Sequence, residues 1–370
     1  MKLLIAGDIS LRDRTAKCNW SAEELSQIFS NVSSFIKDAD HAIVNLESPV
    51  TERIDSIIKD GPVLKNEEKV LAIIKYCGFD TVSLANNHLK DYDCQGVVDT
   101  IAKCKQAGLQ ILGAGLNIKK AKRPIVYEDG NLKVGVLNVC EHESSIATEN
   151  KAGAAPLDLT SLFYDIRELK EKADKIVVII HGGCEHYQLP TPRMKKEYRL
   201  LIDYGVDVIV NHHQHCYSGY EIYNKKPIFY GLGNFYFDNP KKRNDKWNEG
   251  LLLELELTKN VTDYKLIPYH QCDSEPTIEL CKYEDFKNNI EQLNTIIADD
   301  DKLNDCFDKL VDSKKPLYPF LPYGNHYLRA LYGRGYLSDF MTRLRKVKIF
   351  NAISCETHRE VLLRYFENYC

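Results

Sequence analysis

The chain has 370 residues, 44% of them hydrophobic, with a formal net charge of −4 and a pI near 6.3. Its length exceeds one typical domain of about 100–200 residues, which predicts a large domain with an appendage, or two domains. The small net charge excludes a global pull toward nucleic acid or an anionic membrane, and no stretch approaches the roughly 20 apolar residues of a membrane span.

The apolar run Lys2–Ala6 predicts a first core strand. Ser21, with Glu24 three residues on, forms a capping-box signature for a helix over Ala22–Ile36. Ala42–Leu46 is a second strand, Asn66–Tyr76 a helix stopped at Gly78, and Thr81–Leu84 a third strand. A helix over Gln95–Gln106 ends near Gly108. Strands then follow at Val134–Val139, Ile176–Ile180, Val206–Val210 and Ile228–Tyr230, with helices over Leu159–Ala173 and Arg193–Tyr204. The first six strands are rich in Val and Ile without polar alternation, as suits strands covered on both faces. Leu251–Leu257 alternates Leu with Glu and predicts an exposed antiparallel strand.

Strand and helix alternate to about residue 235, which predicts a layered α/β domain. Beyond about residue 270 the texture changes. Residues 273–312 are acid-rich and helical, and 313–350 carry eight Lys/Arg against one acid, Asp339. The expected division is a main domain over 1–270 and a mostly helical extension over 271–370, with a hinge at Pro316–Pro322. Tyr332, Tyr336 and Phe340 recur at helical spacing and read as core. The final helix, Thr357–Tyr369, puts Val361, Leu362, Tyr365 and Phe366 on one side and is expected to dock. Twelve cysteines are scattered without a CxxC pair. They read as free thiols, and with an opening apolar run too short for a signal peptide they predict a cytoplasmic protein.

Polar residues collect where the strands end. The successive ends are Gly7-Asp8, Asn45-Leu46-Glu47, Asn86-Asn87-His88 with Asp91, His181-Gly182-Gly183 with Glu185 and His186, Asn211-His212-His213-Gln214-His215, and Gly231-Leu232-Gly233-Asn234. Open α/β sheets place ligands beyond the carboxyl ends of their strands. Imidazoles and carboxylates together suit zinc or another divalent transition metal. A two-metal centre needs several such ligands and a bridging carboxylate. Singly, Asp8 could sit in a turn, Glu47 could cap a segment, and Asn87-His88 could form local hydrogen bonds. Three histidines at one strand end have no such simple reading.

The segments GDIS, NLESPVT, LANNHLKDYD, GAGLNIKKAKRP, HGGCEHYQLPTP, NHHQHCYSGYE and GLGNFYFD occur in this order along residues 3–238. Together they resemble the poly-γ-glutamate capsule-synthesis (CapA-type) family, a branch of the calcineurin-like metallophosphoesterases. The resemblance implies a four-layer α/β/β/α sandwich and two divalent ions, of Mn, Zn or Fe. It implies Asp8 on the first ion, Glu47 as the bridging carboxylate, Asn87 on the second ion, and His181, His213 and His215 completing the shell. His88 would protonate the leaving oxygen and Asp91 would orient it. Glu185 and His186 would line the substrate pocket, where Asn234 is also expected. The phosphoesterase pattern has a histidine where Ser10 stands and an aspartate where Glu47 stands. The family's His-Trp-Gly is here His181-Gly182-Gly183, which removes a large apolar wall.

Two functional classes stay open at this level. One is a metal-dependent hydrolase of phosphoester-like bonds in surface-polymer synthesis, acting on an anionic polymer or phosphorylated substrate. The other is a non-hydrolytic accessory protein of that assembly machinery. Neither requires nucleic acid.

Overall fold

The computed structural model describes residues 1–314 and 343–369. In chain order the elements begin with β1 (Lys2–Ser10), α1 (Asp13–Lys17), α2 (Ala22–Lys37), β2 (His41–Leu46), α3 (Lys69–Cys77), β3 (Thr81–Ser83), α4 (Asp93–Gln106) and β4 (Gln110–Leu112). There follow β5 (Ala114–Gly115), α5 (Ile118–Ala121), β6 (Ile125–Asp129), β7 (Leu132–Cys140), β8 (Gly153–Ala154), α6 (Leu159–Lys170), β9 (Lys175–His181), α7 (Pro192–Tyr204) and β10 (Val208–His212). Next are β11 (Tyr220–Tyr223), β12 (Lys226–Phe229), β13 (Asn234–Phe237), β14 (Glu249–Leu257), β15 (Thr262–Gln271), β16 (Ile278–Leu280), α8 (Tyr283–Ala298) and α9 (Asp300–Lys314). Beyond residue 342 come α10 (Arg343–Ser354) and α11 (Glu356–Tyr369).

Two sheets face each other. The first runs β16-β15-β14-β1-β2-β3-β4, with β13 also paired to β1, and the second β11-β12-β10-β9-β7-β6. β1 to β4 are parallel, as are β7, β9, β10 and β12. Successive side chains of a strand point to opposite faces, and β1 divides accordingly. Leu3 and Ile5 pack with Val134, Val178 and Val210 of the second sheet, together with Leu162, Ile166 and Tyr198 of α6 and α7. Leu4 and Ala6 pack with Phe29 and Val32 of α2 and Ile73 and Ile74 of α3. The layers are therefore helix, sheet, sheet, helix: a mixed α/β sandwich of four layers.

Leu251–Leu257 departs from the expected exposed strand. β14 is antiparallel to β1 but also pairs with β15, so it lies inside the sheet. Five leucines of the strand are buried, and Glu249, Glu254 and Glu256 reach outward. Its partner β15 alternates too irregularly to stand out in sequence.

Beyond residue 271, β16 extends the first sheet. α8 buries Phe286, Ile290, Leu293 and Ile297 in the core shared with the second sheet. α11 docks through Val361 against Cys184, Phe307 and Val311. Arg364 of α11 meets Asp308 of α9 at 3.5 Å and donates to Asn304 Oδ1 at 2.7 Å. Pro316–Pro322, Tyr332, Tyr336 and Phe340 lie outside the described residues. Among the described residues no disulfide forms, and no helix is long and apolar enough to cross a membrane.

Candidate metal centre

The carboxyl ends of both parallel sets meet at one edge. Asp8 lies in register with Asn45 on β2, and His181 with His212 on β10. Glu47, just past β2, is anchored by its N–H to Ile9 O at 3.0 Å. The loop before β13 crosses so close to β1 that a Cβ at Gly7 would fall 1.8 Å from Gly233 O. Gly233 itself has φ +75, so glycine is required on both sides of this crossing. After β10 the chain turns through His213 at φ +92 and His215 at φ +56. Such backbone is sparsely populated for non-glycine residues and costs about 1–3 kcal/mol each. It turns both rings into the centre.

Donor atoms converge there. His181 Nε2 lies 3.1 Å from Asn87 Oδ1, 3.1 Å from His213 Nδ1 and 3.7 Å from Glu47 Oε1. His215 Nε2 lies 3.6 Å from Glu47 Oε1, and its Nδ1 3.5 Å from Asp8 Oδ2. Asn45 Nδ2 donates to Asp8 Oδ1 at 2.7 Å. Ligand atoms of Glu47, His213 and His215 all fall within 4.8 Å of one another. Asn86, not Asn87, makes the local bonds of its turn: its Nδ2 donates to Leu46 O and its Oδ1 accepts from His88 N. The Asn87 side chain is thereby left to face His181.

The residues present fit a divalent cation. Both Glu47 oxygens, Asp8 Oδ2 and both His212 nitrogens are buried without a hydrogen-bond partner. A buried ionised carboxylate without a partner is strongly disfavoured unless it is neutralised or coordinates a metal. Burial pushes the Glu47 carboxyl well above the usual range. Asp8 is driven up by burial but more strongly down by its contacts with His212 and His215 and by the nearby His181 charge, and ends well below that range. Burial lowers His213 to about 4, which keeps its imidazole neutral and able to ligate.

His88 Nδ1 sits 2.7 Å from Asp91 Oδ2. Lys59, from the loop between β2 and α3, donates to Asp91 Oδ1 at 2.7 Å and to Asn87 O at 3.2 Å. Burial and the Lys59 charge lower His88, against the opposing pull of Asp91. Nothing in the surrounding sequence flags Lys59: it follows Ile57 and Ile58 in a stretch without helical or strand periodicity. Next to His88 opens a cleft of about 250 Å³, bounded by Lys59, Glu143, Glu185 and His213, and by Asn351 and His358 from α10 and α11.

Of the other expected pocket residues, Glu185 borders the cleft while His186 and Asn234 lie elsewhere. Glu185 is solvent-accessible at the cleft mouth. His186, at φ +62, is also exposed, with its ring 5.6 Å from that of Trp247. Asn234 is fully buried. Its Oδ1 pairs with His215 Nδ1 at 2.9 Å and its Nδ2 donates to His215 O and Trp247 O. It therefore sits behind His215, where it orients the ring and directs Nε2 toward Glu47, as outer partners of a ligating histidine do.

Gly182 leaves no empty wall. A Cβ there would lie 2.7 Å from Glu141 Cγ. The buried Glu141 takes hydrogen bonds from Arg193 and from Thr357 Oγ1 of α11 at 2.6 Å. Arg193 also meets Glu360 of α11 at 3.2 Å. Neither Glu141 nor this link to α11 carries a motif signal.

Residues 2–239 match the model of the family described as bacterial capsule synthesis protein PGA_cap. The chain belongs to this family. It is 33% identical over 249 residues to the capsule biosynthesis protein CapA of Bacillus anthracis, covering 64% of this chain and 59% of that protein. It is 33% identical over 239 residues to the PGA biosynthesis protein CapA of Bacillus subtilis (strain 168), covering 64% and 62%. The match thus spans about three fifths of the length of these relatives. Among solved structures, the 5'-nucleotidase from Candida albicans SC5314 superposes with a TM-score of 0.44 at 10% identity, covering 84% of this chain and 58% of that chain.

Proposed function

We propose that this PGA_cap family member is a metal-dependent hydrolase of a phosphoester-like bond, working in the synthesis of an anionic surface polymer such as polyglutamate. The observation that carries the reading is Glu47: a buried carboxylate, unbonded on both oxygens, facing His213 and His215 within ligand distance. Asp8, Glu47, Asn87, His181, His213 and His215 would hold two divalent ions. When bound, such a pair supplies an activated water and neutralises charge on a phosphoryl oxygen.

The chain's own residues then bind, orient and move a proton. Asn234 fixes the direction of the His215 ring. Asp91 holds His88 by Nδ1 and leaves Nε2 available to protonate a leaving oxygen. An anionic group in the cleft would favour the protonated ring, offsetting the burial and the Lys59 charge that lower it. Residues 1–270 carry every proposed ligand; the C-terminal segment, through Asn351 and His358, bounds the space open to substrate.

The test is turnover of generic phosphomonoesters and diesters with added Mn²⁺ or Zn²⁺, in the parent and in Glu47→Ala. Activity insensitive to chelator, or unchanged in the variant, sinks the mechanism. Tight metal binding without any turnover would point instead to a polymer-binding accessory protein.

A further inference from the structure

We propose that His212 is an additional metal ligand, on the Asp8 side of the centre; the proposal rests on the metal reading above. His212 closes β10 in register with His181 at the end of β9. Paired residues of neighbouring strands project from the same sheet face, so the two imidazoles enter the space between the sheets together. The His212 ring is 2% exposed, yet neither nitrogen has a hydrogen-bond partner. Buried polar side chains are hydrogen-bonded in the large majority of cases, and an orphan calls for an explanation such as a bound ion. His212 Nδ1 lies 3.4 Å from Asp8 Oδ1, at ion-pair distance without a hydrogen bond.

The distribution of donors points the same way. On one side, Asn87 Oδ1, His181 Nε2 and His213 Nδ1 gather near Glu47 Oε1. On the other, Asp8 Oδ2 is unbonded, with His215 Nδ1 3.5 Å away. Ser10, two residues further along β1, is turned to Ser48, with the hydroxyls 3.0 Å apart, and offers nothing to Asp8. The other nitrogens beside Asp8 are taken or farther: Asn45 Nδ2 donates to Oδ1 at 2.7 Å and His181 Nδ1 lies 4.0 Å away, against 3.4 Å for the unbonded His212 Nδ1. His215 Nδ1 is committed to Asn234 Oδ1, so the imidazole on the Asp8 side is His212, and a carboxylate–imidazole site suits zinc or a first-row transition metal.

The experiment strips the purified chain with chelator and titrates Mn²⁺ or Zn²⁺ into the parent, His212→Ala and His212→Gln. Stoichiometry is read by elemental analysis and calorimetry, and melting temperature is followed with and without ion. The parent is expected to bind two ions. Both variants should keep one, with the other weakened by at least the ~10–100-fold that loss of even an outer partner costs. Without metal His212→Gln should melt no lower than the parent, since an unbonded buried ring is replaced by a side chain of similar size, while His212→Ala loses stability to the cavity it leaves. Two ions at parental affinity in the variants, or a metal-free melting loss (or failure to fold) in both variants, would overturn the proposal and make His212 a packing residue. A parent that binds no ion overturns the metal reading itself, and His212 with it.

Discussion

Lys59 Nζ and Asp91 Oδ1 form a buried ion pair at 2.7 Å, on the carboxylate oxygen opposite the one that holds His88. One carboxylate thus serves a histidine and a lysine from different loops. The lysine charge works against protonation of His88 while the carboxylate works for it. Lys59→Met should therefore raise the His88 pKa. Activity that needs a protonated His88 falls as pH rises through that value, so the basic limb of the kcat/KM profile should move to higher pH. A profile with an unmoved basic limb would separate Lys59 from the chemistry.

His88→Asn should leave metal content and melting unchanged and slow turnover of substrates with poor leaving groups by about 10²–10⁴-fold, the usual worth of general acid catalysis. Substrates whose leaving group needs no proton should be spared. Comparing an alkyl with a nitrophenyl phosphoester reads the difference, and equal losses on both would make His88 structural.

Metal and stability should be linked through Glu47. With chelator, Glu47→Gln should melt at or above the parent, because a buried carboxylate with no hydrogen bond is removed. With Mn²⁺ or Zn²⁺ at about 100 times Kd, the parent should gain ~2.7 kcal/mol and the variant much less. Thermal melts of the two proteins in both conditions check this; identical curves for the parent with and without metal would refute the linkage.

The docking of α11 should weaken as pH rises. His142 Nδ1 pairs with Glu356 Oε1 at 2.5 Å, and Glu356 Oε2 accepts from His142 N at 2.8 Å. The hydrogen bond to Glu356 raises His142, against partial burial. A raised folded pKa gives stability that is complete below the unfolded value of about 6.5 and is lost as pH climbs through the folded value. Hydrogen exchange of the first turn of α11 should accelerate over that range. His142→Ala should abolish the pH dependence while the Glu141–Arg193–Glu360 contacts keep the helix in place.

Deleting residues 343–370 should spare metal binding, because the proposed ligands fall between Asp8 and His215. It removes Asn351 and His358 from the cleft and Thr357 from Glu141. KM for large substrates should change more than KM for small ones. Solubility should drop as the apolar surface around Cys184, Phe307 and Val311 is uncovered. Loss of metal from a truncated chain that still folds would show that the tail supplies ligands.

The sequence by itself determined the strands of both parallel sets except the three-residue β4, too short to carry a pattern, and the kinds of side chain at their ends. Unbroken Val and Ile runs mark strands buried on two faces, and that signal is local. It also determined that Asp8, Glu47 and Asn87 share one sheet edge, since parallel strands of a sheet end on the same side, whereas His181 ends a strand of the second sheet and joins them only through the packing of the two sheets. Only the tertiary structure decided which atoms meet. Positive φ at His213 and His215 redirects two rings after β10, and no periodicity predicts where a side chain points once a strand has ended. Lys59 comes from an aperiodic loop, Asn234 turns behind His215, and Glu141 is held from a helix more than two hundred residues away. Those contacts arise from the packing of distant segments, whose pairing leaves no trace in the spacing of either one.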